Sequence, residues 1–427
     1  MARCGRRGAS HRQSRRHAPH HVKDHSMSRL ALPLAGVTVL DLSRVLAGPY
    51  CGLMLADMGA EVIKIENPES GDDSRSFRDP SYKGVSTYFL SINRNKKSVA
   101  LDLKAPAGRD AFLKLVEKAD VVLENFRTGV MERLGLGYDV LKAHRPSLVY
   151  CAISGYGRSG PNVDVPGYDP VAQAESGLMS MIGEPDGDPM RVGVSVVDMI
   201  TGLYGSQAIA AALLPAALRG EGRLIEVSLH DTGMNMLANF TGSHLIAGLN
   251  PTRTGNANQV AQPINVYTAA DGPFMMAVVT QAQFVKLCND VVERPQWLED
   301  TRFIDNSARL ANVPELTRLL NEAFATRPRE QWVQLLRKAG VPAGIVADIA
   351  EAFDSEQVHA RHAVREVKHA EIGPYRVLKT PARLHDTEPL GPEGGPVLGQ
   401  HTREILGRLG GFTDAQFDAL ISSGAAR

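Results

Sequence analysis

Between about residue 30 and residue 230 the chain alternates short apolar runs with longer stretches whose apolar positions recur every three or four residues. Runs of four to eight Val, Ile and Leu residues bounded by Gly, Pro or Asp read as strands buried on both faces, and the longer stretches read as amphipathic helices. The pattern predicts a strand over 37–42, a helix over 49–58 stopped by Gly59, and a strand over 61–65, which together make one βαβ unit. It continues with a strand over 98–103, a helix over 106–118 opened by Pro106, and strands over 121–124 and 148–153. A last strand over 225–229 would close the sheet. Such alternation predicts an α/β fold, with a large Rossmann-like domain built on a mostly parallel sheet and helices on both of its faces.

Beyond about residue 240 the signals are mixed: a strand over 274–279, then amphipathic helices within 309–338. This part reads as a smaller α+β domain. The expected divisions are a disordered tail over 1–30, the large domain over 31–228, linkers and the small domain over 229–390, and a segment over 391–427 that returns to the large domain. That last segment regains helical periodicity after the loop-like Gly391-Pro392-Glu393-Gly394-Gly395-Pro396.

Composition changes this picture little. Lys plus Arg and Asp plus Glu are 47 each, so net charge is zero and nothing suggests nucleic acid or a membrane surface as partner. The uncharged stretch 199–218 is interrupted by Gly202, Gly205, Ser206, Gln207 and Pro215 and reads as a core helix. The four cysteines, Cys4, Cys51, Cys151 and Cys288, lack metal-like spacing, and two fall within apparent core elements, which suits a reducing, cytoplasmic compartment. The first 28 residues are rich in Arg and His and lack apolar periodicity, so a chain beginning at Met27 is expected to fold and work as the full one does.

Candidate chemistry gathers at Asp169. It follows the predicted strand 148–153 through Ser154-Gly155-Tyr156-Gly157 and Gly167-Tyr168-Asp169-Pro170, at a strand's carboxyl end, where open α/β sheets place ligands. The same residues also fit a helix start, with Asp169 as a mere cap and Pro170 in the first turn. The first strand leads into Arg44-Val45-Leu46-Ala47-Gly48-Pro49 and not a Gly-x-Gly-x-x-Gly turn, which disfavours a dinucleotide site. Walker, His-Glu-x-x-His and Gly-x-Ser-x-Gly motifs are absent as well. Instead, Arg44, Arg94, Lys96, Lys97, Arg127 and Arg133 fall in or near predicted loops, a basic set suited to a polyphosphate or else ordinary solvated surface.

Several separated blocks resemble the family III coenzyme A transferases, the group of the formyl-CoA and carnitine CoA-transferases and the α-methylacyl-CoA racemases. They include Leu40-Asp41-Leu42-Ser43-Arg44-Val45-Leu46-Ala47-Gly48-Pro49, Gly59-Ala60-Glu61-Val62-Ile63-Lys64-Ile65-Glu66, Asn93-Arg94-Asn95-Lys96-Lys97-Ser98 and Glu124-Asn125-Phe126-Arg127. Further on come Gly167-Tyr168-Asp169, Gln173-Ala174-Glu175-Ser176-Gly177 and Val227-Ser228-Leu229-His230-Asp231. The resemblance implies an enzyme with Asp169 as nucleophile and CoA as substrate, no permanently bound cofactor or metal, and an interlocked, ring-like homodimer. It implies a CoA channel lined by Asn125, Phe126 and Arg133, with Val45 and Leu46 near the pantetheine end, Tyr156 near the thioester, and Arg94, Lys96 and Lys97 among the basic contacts. Leu46 and Ser154 stand where formyl-CoA transferases carry Gln and Lys, which argues against oxalate or formate.

The expected reaction moves CoA from an acyl-CoA donor to a carboxylic acid through an aspartyl anhydride and an aspartyl-CoA thioester. A carboxylate of ordinary pKa, ~3.9, needs no general base to attack. The alternative within the family is α-proton exchange on a 2-methylacyl-CoA, but racemases carry Gly-His-Asp where this chain has Gly167-Tyr168-Asp169, and a phenol is too weak a base for that role. A non-catalytic CoA-binding module would need Asp169 to be only a cap. Arg253 is a candidate partner for the distal carboxylate of a dicarboxylic substrate such as succinyl-CoA.

Overall fold

The computed structural model describes residues 30–77, 80–387, 390–391 and 393–427. The expected tail, apart from Leu30, lies outside the described residues. Six strands form one sheet: β1 (Thr38–Asp41), β2 (Glu61–Glu66), β3 (Lys96–Ala100), β4 (Val121–Glu124), β5 (Val149–Ser154) and β6 (Arg223–Ser228). Every pairing is parallel, and the spatial order is β3-β2-β1-β4-β5-β6. The chain therefore starts in the middle of the sheet, winds outward to β3, then crosses back and winds the other way. At the crossing, the loops after β1 and β4 diverge and leave a crevice, the ligand position general to such sheets.

Alternate residues of each strand face opposite layers, which is why the runs looked continuously apolar. Leu40, Ile63, Ile65, Val99, Val122 and Tyr150 meet Phe112 and Leu115 of the helix Pro106–Val116 on one face. Ile405, Leu406, Phe417 and Leu420, from the helices Thr402–Arg408 and Asp414–Ser422, join the same layer. Val39, Val62, Val121, Leu123 and Cys151 face the other way, onto α1 (Ala47–Asp57) and a long helix, Val196–Arg219. That helix is apolar and long enough to cross a membrane, yet its glycines lie against α1: a Cβ on Gly202 would come 2.6 Å from the Ala47 carbonyl oxygen. A second core, holding Tyr267, Phe274, Phe284, Phe324 and Trp332, packs the antiparallel strands Ile264–Ala269, Gly272–Ala277 and Ala343–Ile345 on helices that include Val313–Phe324 and Arg329–Lys338.

One strand boundary differs from expectation in a way that matters. The strand expected over 98–103 begins two residues earlier, with Lys96 opposite Val62 and Lys97 opposite Ile63. Lys96 is thereby drawn into the sheet, because its ammonium has a buried partner, Asp41, at 2.9 Å. Asp41, Lys64 and Lys96 all lie on the α1 face, where a Cβ on Gly52 would come 2.7 Å from Asp41 Oδ2.

Candidate active site

Two glycines bring Asp169 to the sheet. The loop after β5 leaves through Gly155 and returns at Gly167, and these two meet backbone to backbone. A Cβ on Gly155 would sit 2.6 Å from the Gly167 Cα, and one on Gly167 would sit 2.3 Å from the Gly155 Cα. The returning segment is pressed onto the end of β5, and the helix Asp169–Glu175 starts there with Asp169 as its first residue and Pro170 as its second. The carboxylate does not cap that helix. It turns to the start of Val196–Arg219, where Oδ2 accepts the Val197 N–H at 2.8 Å and the Asp198 N–H at 3.1 Å. Oδ1 accepts from Gln173 Nε2, one turn along, at 2.5 Å. Asp169 is 2% exposed and, among the described residues, pairs with no cation. Its stabilisation comes from the positive end of a 24-residue helix and from neutral donors.

The loop after β1 forms the opposite wall. Val45 has φ 65°, a left-handed backbone that costs a β-branched residue on the order of 1–3 kcal/mol and persists only where neighbours impose it. Here the Val45 N–H donates to Asp72 Oδ1 at 3.1 Å, while Asn125 accepts the Arg44 N–H and donates to the Arg44 carbonyl, both at 2.8 Å. Lys64 binds Asp72 Oδ2 at 2.7 Å and the Ser43 carbonyl at 2.7 Å. Burial works against the charge on Asp72, but Lys64 overcomes it and holds the carboxyl well below the usual carboxylate range.

A cavity of about 340 Å³ opens between these walls, lined by Arg44, Val45, Leu46, Asn125, Phe126, Arg127, Gly155, Gly167, Tyr168 and Asp198. Asp169 lies just behind the lining, flanked by Tyr168 and the first turn of Val196–Arg219. Leu46 also borders a larger apolar groove of about 1710 Å³, which Tyr88, Arg94, Val194 and Ser195 line. Asn125 is in the cavity lining, with its amide engaged in holding Arg44. Phe126 stacks under the Arg44 guanidinium at 5.3 Å, and its N–H is held at 2.7 Å by Glu124, whose carboxyl burial pushes up to about 7. Tyr156 is outside the lining, with its hydroxyl on Glu175 at 2.6 Å and its ring beside His230.

The basic set divides. Arg127 and Arg133 are exposed and pair with no acid among the described residues, and Arg44 reaches Asp73 only at 3.8 Å. Three of the expected basic contacts are engaged by acids of the fold. Lys96 is sealed, with Asp41 and the Pro49 carbonyl taking its N–H groups. Arg94 is buried against Asp57, on the groove side. Lys97 bridges Glu61 at 3.1 Å and Glu404 at 2.6 Å, away from the cavity. Arg253 likewise spends its guanidinium on the carbonyls of Ser180, Glu184 and Gly187.

Sequence reasoning missed Asp198. Its only early signal is its place three residues after Ser195, in the first turn of an apolar helix. Its carboxylate faces the cavity, makes no hydrogen bond or ion pair among the described residues, and is pushed up to about 7 by burial and then by the charge of Asp169.

Residues 34–402 match the model of CoA-transferase family III. The chain belongs to that family. This transferase is 40% identical to the succinate–glutarate CoA-transferase of Agrobacterium fabrum, over 88% of this chain and 96% of the relative. It is 36% identical to the human succinyl-CoA:glutarate CoA-transferase, over 92% and 89% of the two chains. Among solved structures, a CaiB/BaiF family protein from Brucella suis is 38% identical and superposes with a TM-score of 0.80, covering 89% of this transferase and all of that chain.

Proposed function

We propose that this CoA-transferase works through Asp169 as a covalent carrier and that its acids are short dicarboxylates of the succinate and glutarate kind. The observation that carries the reading is a buried carboxylate at the mouth of the sheet crevice, held by two helix N–H groups and an amide and neutralised by no cation. Such a group is held in place without surrendering its lone pairs to an ammonium. Asp169 attacks the donor thioester carbonyl, the C–S bond breaks, and CoA leaves as thiolate with a mixed anhydride behind it. The thiolate then attacks the Asp169 carboxyl carbon, the C–O bond to the donor acyl group breaks, and the donor acid leaves as carboxylate. An acceptor carboxylate attacks the resulting aspartyl-CoA thioester, and the steps reverse.

The cavity is at the small end of the range for ligand pockets, roughly 300–1,000 Å³, and suits the thiol end of CoA, with Arg44 and Arg127 in its lining and Arg133 beyond it for the phosphates. Dicarboxylates are supported by the names of the two relatives. α-Proton exchange is not favoured: those relatives are transferases, and Tyr168, in the place of the racemase histidine, is 67% exposed. To test the carrier, the enzyme is incubated with succinyl-CoA and then hydroxylamine. A hydroxamate on Asp169 in the peptide map is expected, and turnover without one refutes the mechanism.

We infer a homodimer as well. The apolar groove and Leu203, Tyr204, Leu214 and Leu218, exposed along Val196–Arg219, offer surface for a second copy. Light scattering that shows an active monomer on dilution would contradict it.

A further inference from the structure

Asp198 has a position the carrier mechanism does not explain. An acid in the first turn of a helix is ordinarily stabilised by the free N–H groups around it. Here none is left. The Val196 N–H goes to the Val194 carbonyl, those of Val197 and Asp198 go to Asp169, and that of Met199 goes to the Ser195 carbonyl. No cation compensates among the described residues. From the helix Thr87–Ile92 comes the phenol of Tyr88, itself pushed up to about 12 by burial and by Asp198, Asp72 and Asp169. From the helix Asp169–Glu175 comes Asp169. Across the cavity, Arg44 leans toward Asp73 and Arg127 sits at the rim, while His230, beyond Leu229, lies against Tyr156. Two carboxylates beside one cavity would repel any third, yet the reaction must bring one in and let one out.

We propose that Asp198 is a second functional carboxyl of this site, which in its protonated form donates a hydrogen bond to the carboxylate of the acid arriving at or departing from Asp169. The inference rests on the carrier reading above. The proton stays on Asp198 throughout, so no bond other than the hydrogen bond is made by it and no charge is transferred. A neutral carboxyl donating to a carboxylate forms a charge-assisted bond, and one that has lost its proton becomes a repulsive anion at the same place. With a carboxyl raised to about 7, the site changes from donor to anion as pH passes neutrality. Glutarate and succinate are fully ionised throughout that range, so an alkaline decline in their use reports the enzyme.

The test compares the wild type with Asp198→Asn and Asp198→Ala, measuring kcat/KM for glutarate with succinyl-CoA across pH 6 to 9. The wild type is expected to decline about tenfold per pH unit once Asp198 is ionised. Asp198→Asn, which still donates, should stay within a fewfold of the wild-type maximum and show no decline. Asp198→Ala should be about ten- to a hundredfold lower at every pH. A decline that persists in Asp198→Asn overturns the inference, and so does an Asn variant as impaired as the Ala variant. Should neither variant fold, infrared difference spectra of the wild type decide: a protonated-carboxyl band at pH 6 that shifts on adding glutarate supports the role, and its absence overturns it. Failure of the carrier reading is separate, since it would appear as wild-type turnover without a hydroxamate on Asp169, whatever the pH profiles of the Asp198 variants.

Discussion

Asp169 and Asp72 are both almost fully buried at the ends of the same sheet, one on each side of the cavity, and they are stabilised in opposite ways. Asp72 faces an ammonium, Lys64, at 2.7 Å, and spends its other oxygen on the N–H groups of Val45 and Ser74. Asp169 has only a helix terminus and an amide. The ion pair makes Asp72 a fixed post that holds a strained loop. The uncharged cradle holds Asp169 with no cation beside it among the described residues, and Gln173, on a side chain, can give way when Oδ1 reacts. Burial alone therefore does not decide whether a carboxylate is structural or reactive; the charge of its partners does. Asp198 and Glu124 complete the series: burial pushes both up to about 7, and Arg158, 3.8 Å from Glu124, does not overcome it there.

The largest expected effect falls on the reactive side. Asp169→Asn keeps the size of the side chain and an oxygen to accept the Val197 N–H, so folding and CoA binding should survive. Transfer should fall at least roughly a thousandfold, about 4 kcal/mol of barrier. Near-normal turnover by this variant would place Asp169 with Asp72 among structural acids and erase the contrast.

On the structural side the loss should appear in stability first. Lys64→Met removes the partner of Asp72 and strands a buried charge, a change expected to cost about 3 kcal/mol or more. The melting temperature should drop, and the Val45 loop should loosen with it. Chemical denaturation is the direct measurement. A variant as stable as the wild type would mean that Lys64 does not govern Asp72.

The carboxyls that burial pushes up give the third comparison, through pH. Glu124 titrates at about 7 when folded and at ~4.3 when unfolded, so between those values the folded state holds a proton the unfolded state lacks. Its contribution to stability is then full below ~4.3 and declines as pH rises toward 7, the reverse of Asp72, whose contribution is lost as pH falls below ~3.9. Glu124→Gln cannot lose that proton. Relative to the wild type it should gain about 4 kcal/mol between pH 4 and pH 8, and a constant difference across that range would show that burial does not raise Glu124.

How much of this was legible depended on whether the determinant was local. The strands of the sheet, its parallel pairing and the loop placing Asp169 follow from apolar runs and from Gly155 and Gly167, which act over a few positions. The fate of Lys96 did not. Its side chain is polar and its sequence neighbourhood reads as a turn, and only Asp41, 55 positions away, makes its burial tolerable. Asp198 was invisible for the same reason: an aspartate in a first helical turn is ordinary, and its environment becomes unusual only because Asp169, from another helix, takes the N–H groups it would have used. The region over 309–338 reads as amphipathic helices, and these are Asn306–Ala311, Val313–Phe324 and Arg329–Lys338, with Pro314 in the first turn of the second and Pro328 at the N-cap of the third.

The smallest expected effect separates free cations from committed ones. Arg127 and Arg133 have no acid among the described residues, so a phosphate would meet guanidinium groups that need not first leave a partner. Lys97 would have to abandon Glu61 and Glu404. Arg127→Ala and Arg133→Ala should each raise KM for acyl-CoA about three- to tenfold, on the order of 1 kcal/mol, with kcat nearly unchanged because the phosphates are remote from the thioester. The increase should shrink as salt is added, since screening weakens the same contact in the wild type. Lys97→Ala should leave KM where it is and alter stability by less than about 1 kcal/mol, as exposed pairs do. If Lys97→Ala instead raises KM as much as Arg127→Ala, the paired lysine is released on binding, and a committed partner in the free enzyme does not mark a cation as structural.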